Sequence, residues 1–361
     1  MNDAISDVHD CQIREQERLR HLCRDAAKYY HELLKSDVGK EAREYLIQRG
    51  LDWSTAVKFG LGFAPDDFHA LQSAMERLGY TREELAAADL CDVSRKNTST
   101  IYDRFRSRIM FPQIDPMGSV IGFAGRALGE NAGPKYINPT QTPIFSKRKF
   151  LYAMNLAKKT KRPYLILCEG PMDAIACHQF GFDCAVASQG TALTEDQVSL
   201  IRQSTDRVIL TYDNDAAGQN AAQRAIQMFG QAGVRVNILK LHDAKDADEF
   251  LHKFGAEPFD ALIRGAEKQA DFLFSSLQSR FNLTKDDQRV EFAAKAAELI
   301  ATFRSAAEPE VYADRAAKAA GVSRAAMLAE TAKAYKKRQD AAKRPERRND
   351  EKTGQYHRSC P

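Results

Sequence analysis

The chain has 361 residues, 43% of them hydrophobic, which is enough to bury a sizeable core in two or three subdomains. No apolar stretch approaches the length of a membrane span and the polar N-terminus lacks a signal-peptide pattern, so a soluble cytoplasmic protein without membrane contact is expected. Seven cysteines, an odd number without a CxxC or CxxH pair, predict free thiols, no disulfides and no zinc site.

The first part of the chain has mostly helical periodicity. Residues 1–25 are polar and charged, with little to pack against, and predict a disordered leader. Helical spacing follows in four segments: 26–34, 39–48, 66–78 and 81–88. In the last of these, Thr81 and Glu84 have the spacing of a capping box. These segments predict a small helical region that leads into a mixed subdomain.

From residue 101 the pattern changes to short strands and turns. Two apolar runs, 108–112 and 119–123, flank Asp115-Pro116-Met117-Gly118, a sequence typical of a tight turn. Residues 95–162 contain fourteen Lys and Arg but only three Asp and Glu. An isolated basic residue usually belongs to a solvated face, but this local excess, interleaved with aromatic residues, favours contact with nucleic acid.

Residues 165–249 alternate apolar runs of strand length with helical segments, which predicts parallel βαβ units. Acidic residues directly follow three of the apolar runs: Glu169, the pair Asp213 and Asp215, and the pair Asp246 and Asp248. Because ligands bind outside the carboxyl ends of parallel strands, the three clusters are expected to converge. One Asp-x-Asp alone is more often a solvated turn. Three clusters in one series instead favour a site for Mg2+ and phosphate.

The acidic motifs resemble the Toprim signature of bacterial-type DNA primases. The motifs are Glu169-Gly170-Pro171-Met172-Asp173, Asp213-Asn214-Asp215-Ala216-Ala217-Gly218 and Lys245-Asp246-Ala247-Asp248-Glu249. Further segments are similar to the same family in the same order: 44–51, 59–65, 102–112, 120–126, 135–139, 142–147 and 187–194. The resemblance runs from about residue 26 to about residue 334, and it is far more specific than any single motif.

The resemblance implies an α/β fold with a Toprim-type parallel sheet flanked by helices at 161–255. A mixed α+β basic subdomain at 26–160 precedes it and a helical subdomain at 256–335 follows. Residues 336–361, rich in Lys and Arg, predict a disordered basic tail. Neither the zinc ribbon nor the C-terminal helicase-binding domain of the family is expected in this chain, unless the tail is a remnant of the latter.

The resemblance also implies the site. Two Mg2+ or Mn2+ ions, and no zinc, would be held by five carboxylates: Glu169, Asp213, Asp215, Asp246 and Asp248. Glu169, Asp213 and Asp215 would be catalytic, and whether Glu169 is a ligand or an acid/base group stays open. Asp173 would orient Glu169 or a metal, or it is simply an exposed residue of the first helical turn. The nucleotide and template would contact basic and polar residues: Arg104, Arg108, Arg126, Lys135, Tyr136, Asn138 and Lys147.

The implied activity is synthesis of short RNA primers on single-stranded DNA from ribonucleoside triphosphates. Three motif positions depart from the family, because Pro171, Asn214 and Ala247 replace its usual Tyr, Gly and Pro, yet no carboxylate is lost. A replicative helicase or a separate zinc-ribbon protein is a candidate partner. Two alternatives stay open: a non-catalytic, nucleic-acid-binding remnant of a primase, and a Toprim nuclease.

Overall fold

The structure is a computed structural model that describes residues 2–94, 100–129, 133–189, 193–212, 216–303 and 308–343. The chain divides into two compact units, Met1–Gln269 and Ala270–Pro361, each considered by itself. Among the described helices, none has the length and apolarity needed to cross a bilayer.

The first unit begins with helices packed around a small antiparallel sheet. Its helices are α1 (Asn2–Lys35), a 3-10 turn (Asp37–Gly39), α2 (Lys40–Gln48), α3 (Trp53–Lys58), α4 (Ala70–Arg77), α5 (Arg82–Ala87) and α6 (Met154–Ala157). Its strands are β1 (Gly62–Ala64), β2 (Cys91–Val93), β3 (Ile101–Asp103), β4 (Arg108–Ile114), β5 (Val120–Ala127) and β6 (Tyr136–Ile137). Strands β1, β4, β5 and β6 form one antiparallel sheet in that order, and β2 pairs with β3. The predicted turn after β4 and the capping box of α5 are both confirmed.

Helix α1 corrects the prediction of a disordered leader at residues 1–25. The helix begins at Asn2, and from Leu19 onward one of its faces is buried in the core, with Leu22 fully covered. Tyr30 lies on the same face and packs edge-on against Phe123 of β5. Strand β1 lies very close to this face of α1, because a Cβ added at Gly62 would be only 2.6 Å from Tyr30 Cβ. Polar residues outnumber apolar ones in this helix, so the buried stripe was hidden by its composition.

A second, mostly parallel sheet follows in the same unit. Its strands are β7 (Leu165–Cys168), β8 (Ala185–Ala187), β9 (Arg207–Thr211), β10 (Arg235–Ile238) and β11 (Glu267–Lys268). The order is β11-β10-β9-β7-β8, and only β11 is antiparallel to its neighbour. The helices are α7 (Pro171–Gln179), α8 (Glu195–Ser204), α9 (Ala216–Ala232), α10 (Ala247–Phe254) and α11 (Ala256–Arg264). Every residue of β7 and β8 is buried, as in sheets covered on both faces, and the predicted α/β fold is confirmed.

The second unit is helical. Its helices are α12 (Gln269–Gln278), α13 (Asp286–Ile300), α14 (Glu308–Ala320) and α15 (Arg324–Lys343). Phe274, Phe292 and Met327 pack there with small alanine side chains. Within the helical subdomain expected at 256–335, the short strand β11 separates α11 from α12 where it pairs with β10. The tail expected to be disordered from residue 336 is helical as far as Lys343.

His178 of α7 is a buried imidazole whose protonation opposes folding. Its Nε2 lies 3.0 Å from the Ala185 carbonyl, and Nδ1 has no partner among the described residues. The ring meets Phe59 edge-on at 5.2 Å between centroids. Burial lowers the pKa of His178 from 6.5 to about 4, although the Ala185 carbonyl opposes that shift. A second N–H would lack an acceptor in these apolar surroundings.

This environment predicts an acid-sensitive first unit. Between pH 6.5 and 4 the unfolded chain binds a proton that the folded chain excludes, so stability is fully present above pH 6.5. The free energy of unfolding should then fall by ~1.4 kcal/mol per pH unit because of this residue. Urea unfolding followed by fluorescence of Trp53, the sole tryptophan, measures it in the wild type and in His178→Gln. Equal pH slopes in the two proteins would contradict the prediction.

Candidate active site

Glu169 directly follows β7, at the carboxyl end of the central part of the parallel sheet. Its main-chain carbonyl accepts a hydrogen bond from the Gln189 N–H at 3.0 Å, and Ser188 N–H donates to the Cys168 carbonyl at 3.2 Å. Helix α7 begins only two residues later, with Pro171 at its first position, where the missing N–H costs nothing. The strand end and the helix start therefore fix the backbone on both sides of Glu169.

Asp173 joins this strand end to helix α10. Its carboxylate accepts from the Gly170 N–H at 3.1 Å and from the Asp248 N–H at 3.4 Å. Burial, together with the negative charges of Asp246 and Asp248, raises the pKa of Asp173 to about 7. The three carboxylates are thus close enough to repel one another, a condition that a bound cation would relieve. The predicted positioning role of Asp173 stays a prediction, and these contacts supply its geometry.

Asp246 and Asp248 lie at the first turn of α10 and have different surroundings. Asp246 is the N-cap and accepts from the Glu249 N–H at 2.9 Å, and its carboxylate stays partly exposed beside Lys245. Asp248 is 4% exposed and forms an ion pair with Arg49, and His252 Nε2 lies 3.3 Å from its Oδ1. Burial raises the pKa of Asp248, while Arg49 and His252 oppose that shift. Asp246 is therefore the more accessible of the two predicted ligands.

Asp213 and Asp215 lie outside the described residues, so the structure gives no geometry for them. The strand that precedes them, β9, runs between β7 and β10. The carboxyl ends of β7 and β9, and α10 beyond β10, therefore belong to one edge of the sheet. Among the described residues, no three His, Cys, Asp or Glu side chains form a ligand cluster.

A cleft of about 480 Å3 opens beside this acidic edge. Arg49, from the end of α2, lines one side, and Lys245 and Asp246 line the other. The amine of Lys135 faces the same region. Its pKa is lowered by burial and then by the positive charges of Arg126, Lys245 and Arg49. Cations from three separate segments thus surround the carboxylates, and the volume is within the range of small-ligand sites.

Two more of the predicted nucleotide-binding residues form a stacked group. Arg126 donates to the Tyr136 hydroxyl at 2.9 Å, and its guanidinium lies 5.4 Å from the ring centroids of both Tyr136 and Tyr45. Burial raises the pKa of the Tyr136 hydroxyl, and the negative charge of Asp173 adds to this shift. The structure therefore brings Arg126, Lys135 and Tyr136 together near the acidic edge.

Arg104 and Arg108 instead make contacts within the fold. Arg104 forms ion pairs with Asp89 at 3.5 Å and with Asp92 at 2.9 Å. Arg108 is 2% exposed and donates to the carbonyls of Gly125 and Pro134 at 3.2 and 2.9 Å. Both guanidinium groups already bind protein partners, so a role for either in binding the template stays a prediction. Half-buried Asn138 and Lys147 also remain predictions.

The site contains residues to which the sequence assigned no role: Arg49, Lys245 and His252. Arg49 belongs to the segment 44–51, which resembles the primase family. The resemblance marked this segment but assigned no function to Arg49. Its contact with Asp248 spans 199 residues of sequence and becomes evident only in the fold.

Comparison with protein families gives three consecutive matches along the chain. Residues 29–158 match the DNA primase catalytic core, N-terminal domain, and residues 166–251 match a Toprim-like domain. Residues 270–325 match a family described as the DnaB-helicase binding domain of primase. The first two matches meet where the basic subdomain ends and the acidic sheet begins.

Solved structures extend the comparison. The DnaG primase catalytic domain bound to single-stranded DNA is 33% identical with a TM-score of 0.74, covering 86% of this chain and 98% of that one. The Escherichia coli primase catalytic core is 34% identical with a TM-score of 0.73, covering 84% and 98%. This chain belongs to the DnaG-type DNA primase family. A curated DNA primase from Clostridium acetobutylicum is 39% identical over 277 residues, or 76% of this chain and 46% of its own length. The chain thus spans about half the length of such curated DnaG-type relatives.

One expectation from the sequence is wrong. The helicase-binding domain of DnaG-type primases was expected to be missing, yet residues 270–325 match it. That segment covers α12, α13 and α14 of the second unit, which the sequence analysis assigned only to a closing helical subdomain. Alanine-rich amphipathic helices carry the same periodicity in either kind of domain, so the pattern could not separate the two.

Proposed function

We propose that this chain is the catalytic core of a DNA primase, which synthesises short RNA primers on single-stranded DNA from ribonucleoside triphosphates. The observation that supports the proposal is the approach of Asp173, Asp246 and Asp248 at the acidic edge, beside a cleft that Arg49 and Lys245 also line, in a chain whose fold matches solved primase cores. The relative solved with single-stranded DNA supports the choice of template.

The donor chemistry of this edge fits Mg2+ or Mn2+, hard cations that take carboxylate oxygens and phosphates. Burial is the main cause of the raised pKa of Asp173, and the repulsion from Asp246 and Asp248 that adds to it marks a place where negative charge is in excess. We propose that Glu169 and Asp246 hold two such ions, together with Asp213 and Asp215 and with Asp248 as a fifth ligand. Bound there, the ions would supply charge stabilisation to the phosphate undergoing transfer.

In the proposed reaction, the 3′-hydroxyl of one ribonucleotide attacks the α-phosphate of the next and pyrophosphate leaves. Lys135 and Arg126 neutralise phosphate charge from the basic side of the cleft, and Tyr136 holds Arg126 in place through its hydroxyl. Asp173 holds the residue after Glu169 against α10. The protein thus contributes positioning and electrostatic stabilisation, as expected for transfer of a phosphoryl group.

Loss of one phosphate contact should weaken DNA binding in a recognisable way. In Lys135→Gln, affinity for single-stranded DNA should fall, and the salt dependence of binding should decrease by about 0.7 in log–log slope. Fluorescence anisotropy over a salt series measures both. Lys318→Gln, in the second unit, is the control, because it removes an exposed positive side chain that forms an ion pair with Asp314. Equal slopes in the wild type and Lys135→Gln would contradict the prediction.

Primer synthesis tests the proposal directly. Labelled ribonucleotides, single-stranded DNA and Mg2+ or Mn2+ are supplied to the wild type and Asp213→Ala, with and without an annealed primer. RNA made without a primer and lost in the variant supports an independent primase. If RNA is made only by extension of an annealed primer, the result supports a catalytic core that cannot initiate by itself. DNA binding without incorporation identifies a binding remnant, and DNA cleavage without incorporation identifies a nuclease.

The second unit suggests the partner. Because residues 270–325 match the helicase-binding domain of primases, we propose that this unit contacts a replicative helicase of the DnaB type. Such a contact would place primer synthesis at the replication fork, in the cytoplasm. Pull-down of the full chain by the helicase, with and without nucleotide, measures the contact.

A further inference from the structure

Two buried glutamines connect the antiparallel sheet to the candidate active site. Gln113 of β4 is 0% exposed and Gln189, after β8, is 6% exposed. Gln189 Nε2 donates to Gln113 Oε1 at 2.6 Å, across 76 residues of sequence. No role in metal or phosphate binding falls to either side chain, so the Gln113–Gln189 pair is a feature that the proposed chemistry leaves unexplained.

The pair is one link in a continuous series of hydrogen bonds. Gln113 Nε2 donates to the Phe111 carbonyl at 2.9 Å, within the strand that pairs with both β1 and β5. At the other end, the main-chain N–H of Gln189 donates to the carbonyl of Glu169 at 3.0 Å. The series therefore runs from the middle of the basic subdomain to the backbone of the carboxylate expected to do the chemistry.

The backbone of Gln189 is strained. Its φ is +60°, in the left-handed region that residues with a Cβ rarely adopt. Such a conformation costs on the order of 1–3 kcal/mol and persists only where the surroundings fix it. Here both the side-chain and the main-chain donors of Gln189 are fixed. A buried amide pair that served packing alone would not require this backbone.

We propose that the Gln113–Gln189 pair positions Glu169, by holding the end of β7 in register with the basic subdomain that binds phosphate. Gln189 is thus a positioning residue, which acts through its hydrogen bond to the Glu169 carbonyl and touches no substrate. This inference rests on the proposed function. If the hydrogen bond between Gln189 and Gln113 is lost, Glu169 keeps its charge, but its position relative to the residues that contact phosphate changes.

Three variants of the full chain separate positioning from folding. Gln189→Gly removes the hydrogen bond to Gln113 but also relieves the backbone strain, which offsets part of the cost of the unpaired Gln113 amide, so its unfolding temperature should fall less than that of Gln189→Leu. Gln189→Leu leaves the Gln113 amide buried without its partner, whereas Gln113→Leu/Gln189→Leu replaces the pair by an apolar contact. Gln72→Leu is the matched control, because the side chain of this buried glutamine of α4 bonds His69 and Glu76, which are close in sequence, and its main-chain bond to Asp103 survives the substitution.

Extension of an annealed primer is measured for each variant. Gln189→Gly and Gln189→Leu should lower kcat ~10- to 100-fold with little change in KM, since misplacement by about 1 Å has that effect. The double variant should recover most of the rate, and Gln72→Leu should stay within about twofold of the wild type. Gln189→Gly at the wild-type rate, or losses of rate that follow only the unfolding temperature, would overturn the proposal.

A second readout keeps the inference separate from the proposed function. Mn2+ affinity is measured by electron paramagnetic resonance in the same variants, with Glu169→Gln as the reference for a lost carboxylate. If the wild type incorporates no nucleotide, the proposed function fails, and the Mn2+ titration alone decides the role of the pair. Weaker binding in Gln189→Gly, towards a weakened Glu169→Gln value, supports positioning. Wild-type affinity in Gln189→Gly beside a weakened Glu169→Gln overturns it, and where Glu169→Gln keeps wild-type affinity the primer-extension rates decide.

Discussion

Glu169→Gln is expected to lower the rate of ribonucleotide incorporation by ~10²- to 10⁴-fold, the range for loss of a positioned catalytic carboxyl group. The substitution keeps the size of the side chain and removes its charge. Because the backbone around Glu169 is fixed by β7, by the start of α7 and by the Gln189 N–H, the variant should fold normally. Single-turnover extension of an annealed primer, at saturating nucleotide, measures the effect on chemistry itself.

A matched control removes one negative charge elsewhere in the same unit. Glu195 lies exposed in the first turn of α8, where it favours the positive end of the helix by only a few tenths of a kcal/mol. Glu195→Gln should therefore extend primers at the wild-type rate. If Glu169→Gln also extends primers within about threefold of the wild type, Glu169 is neither a ligand nor an acid/base group.

The metal dependence of the two variants separates the roles left open by the sequence. A ligand role predicts that Glu169→Gln needs more Mn2+ for half-maximal rate. An acid/base role predicts an unchanged requirement for metal and a changed pH profile of the rate. Both outcomes identify Glu169 as catalytic, so the prediction about rate does not depend on which role is correct.

The sequence predicted the acidic edge because its strands are buried on both faces. A strand such as β7, which is covered on both faces, has an unbroken run of apolar residues in its sequence. The polar residue that ends this run marks the edge of the sheet. Glu169 therefore stands out by position alone, whereas Asp246 lies beyond the end of β10, at the N-cap of α10. The resemblance to primases then supplied their roles, which periodicity could not.

The sequence did not predict contacts that join distant segments. Arg104 and Lys135 are both basic residues of one subdomain, yet one pairs with Asp89 and Asp92 while the other faces the cleft. Nothing local distinguishes them, because the charged partners of each side chain come from other segments of the chain. Gln189 is similar: its strained backbone depends on Gln113, and a glutamine after a strand has no signature of its own.

Arg49→Met is expected to lower the free energy of unfolding of the first unit by about 3 kcal/mol. Asp248 is 4% exposed, so without Arg49 its carboxyl group stays buried either as an unpaired charge or in the protonated form, with His252 Nε2 at 3.3 Å. Methionine retains the length of the arginine stem, so the loss reports on charge more than on packing. Urea unfolding at pH 7, followed by Trp53 fluorescence, confines the measurement to the unit that contains the pair.

Two further variants make this prediction specific. Arg82→Met breaks the exposed pair with Glu76, at 3.0 Å, and should cost under about 1 kcal/mol. Arg49→Met/Asp248→Asn should recover much of the stability, because it removes the buried charge that Arg49 leaves unpaired. An Arg49→Met cost no larger than that of Arg82→Met would mean that Asp248 does not depend on Arg49. If Mn2+ restores the stability of Arg49→Met but not of the double variant, Asp248 is free to bind metal once Arg49 leaves it. Arg49 would then compete with the ion for the same carboxylate.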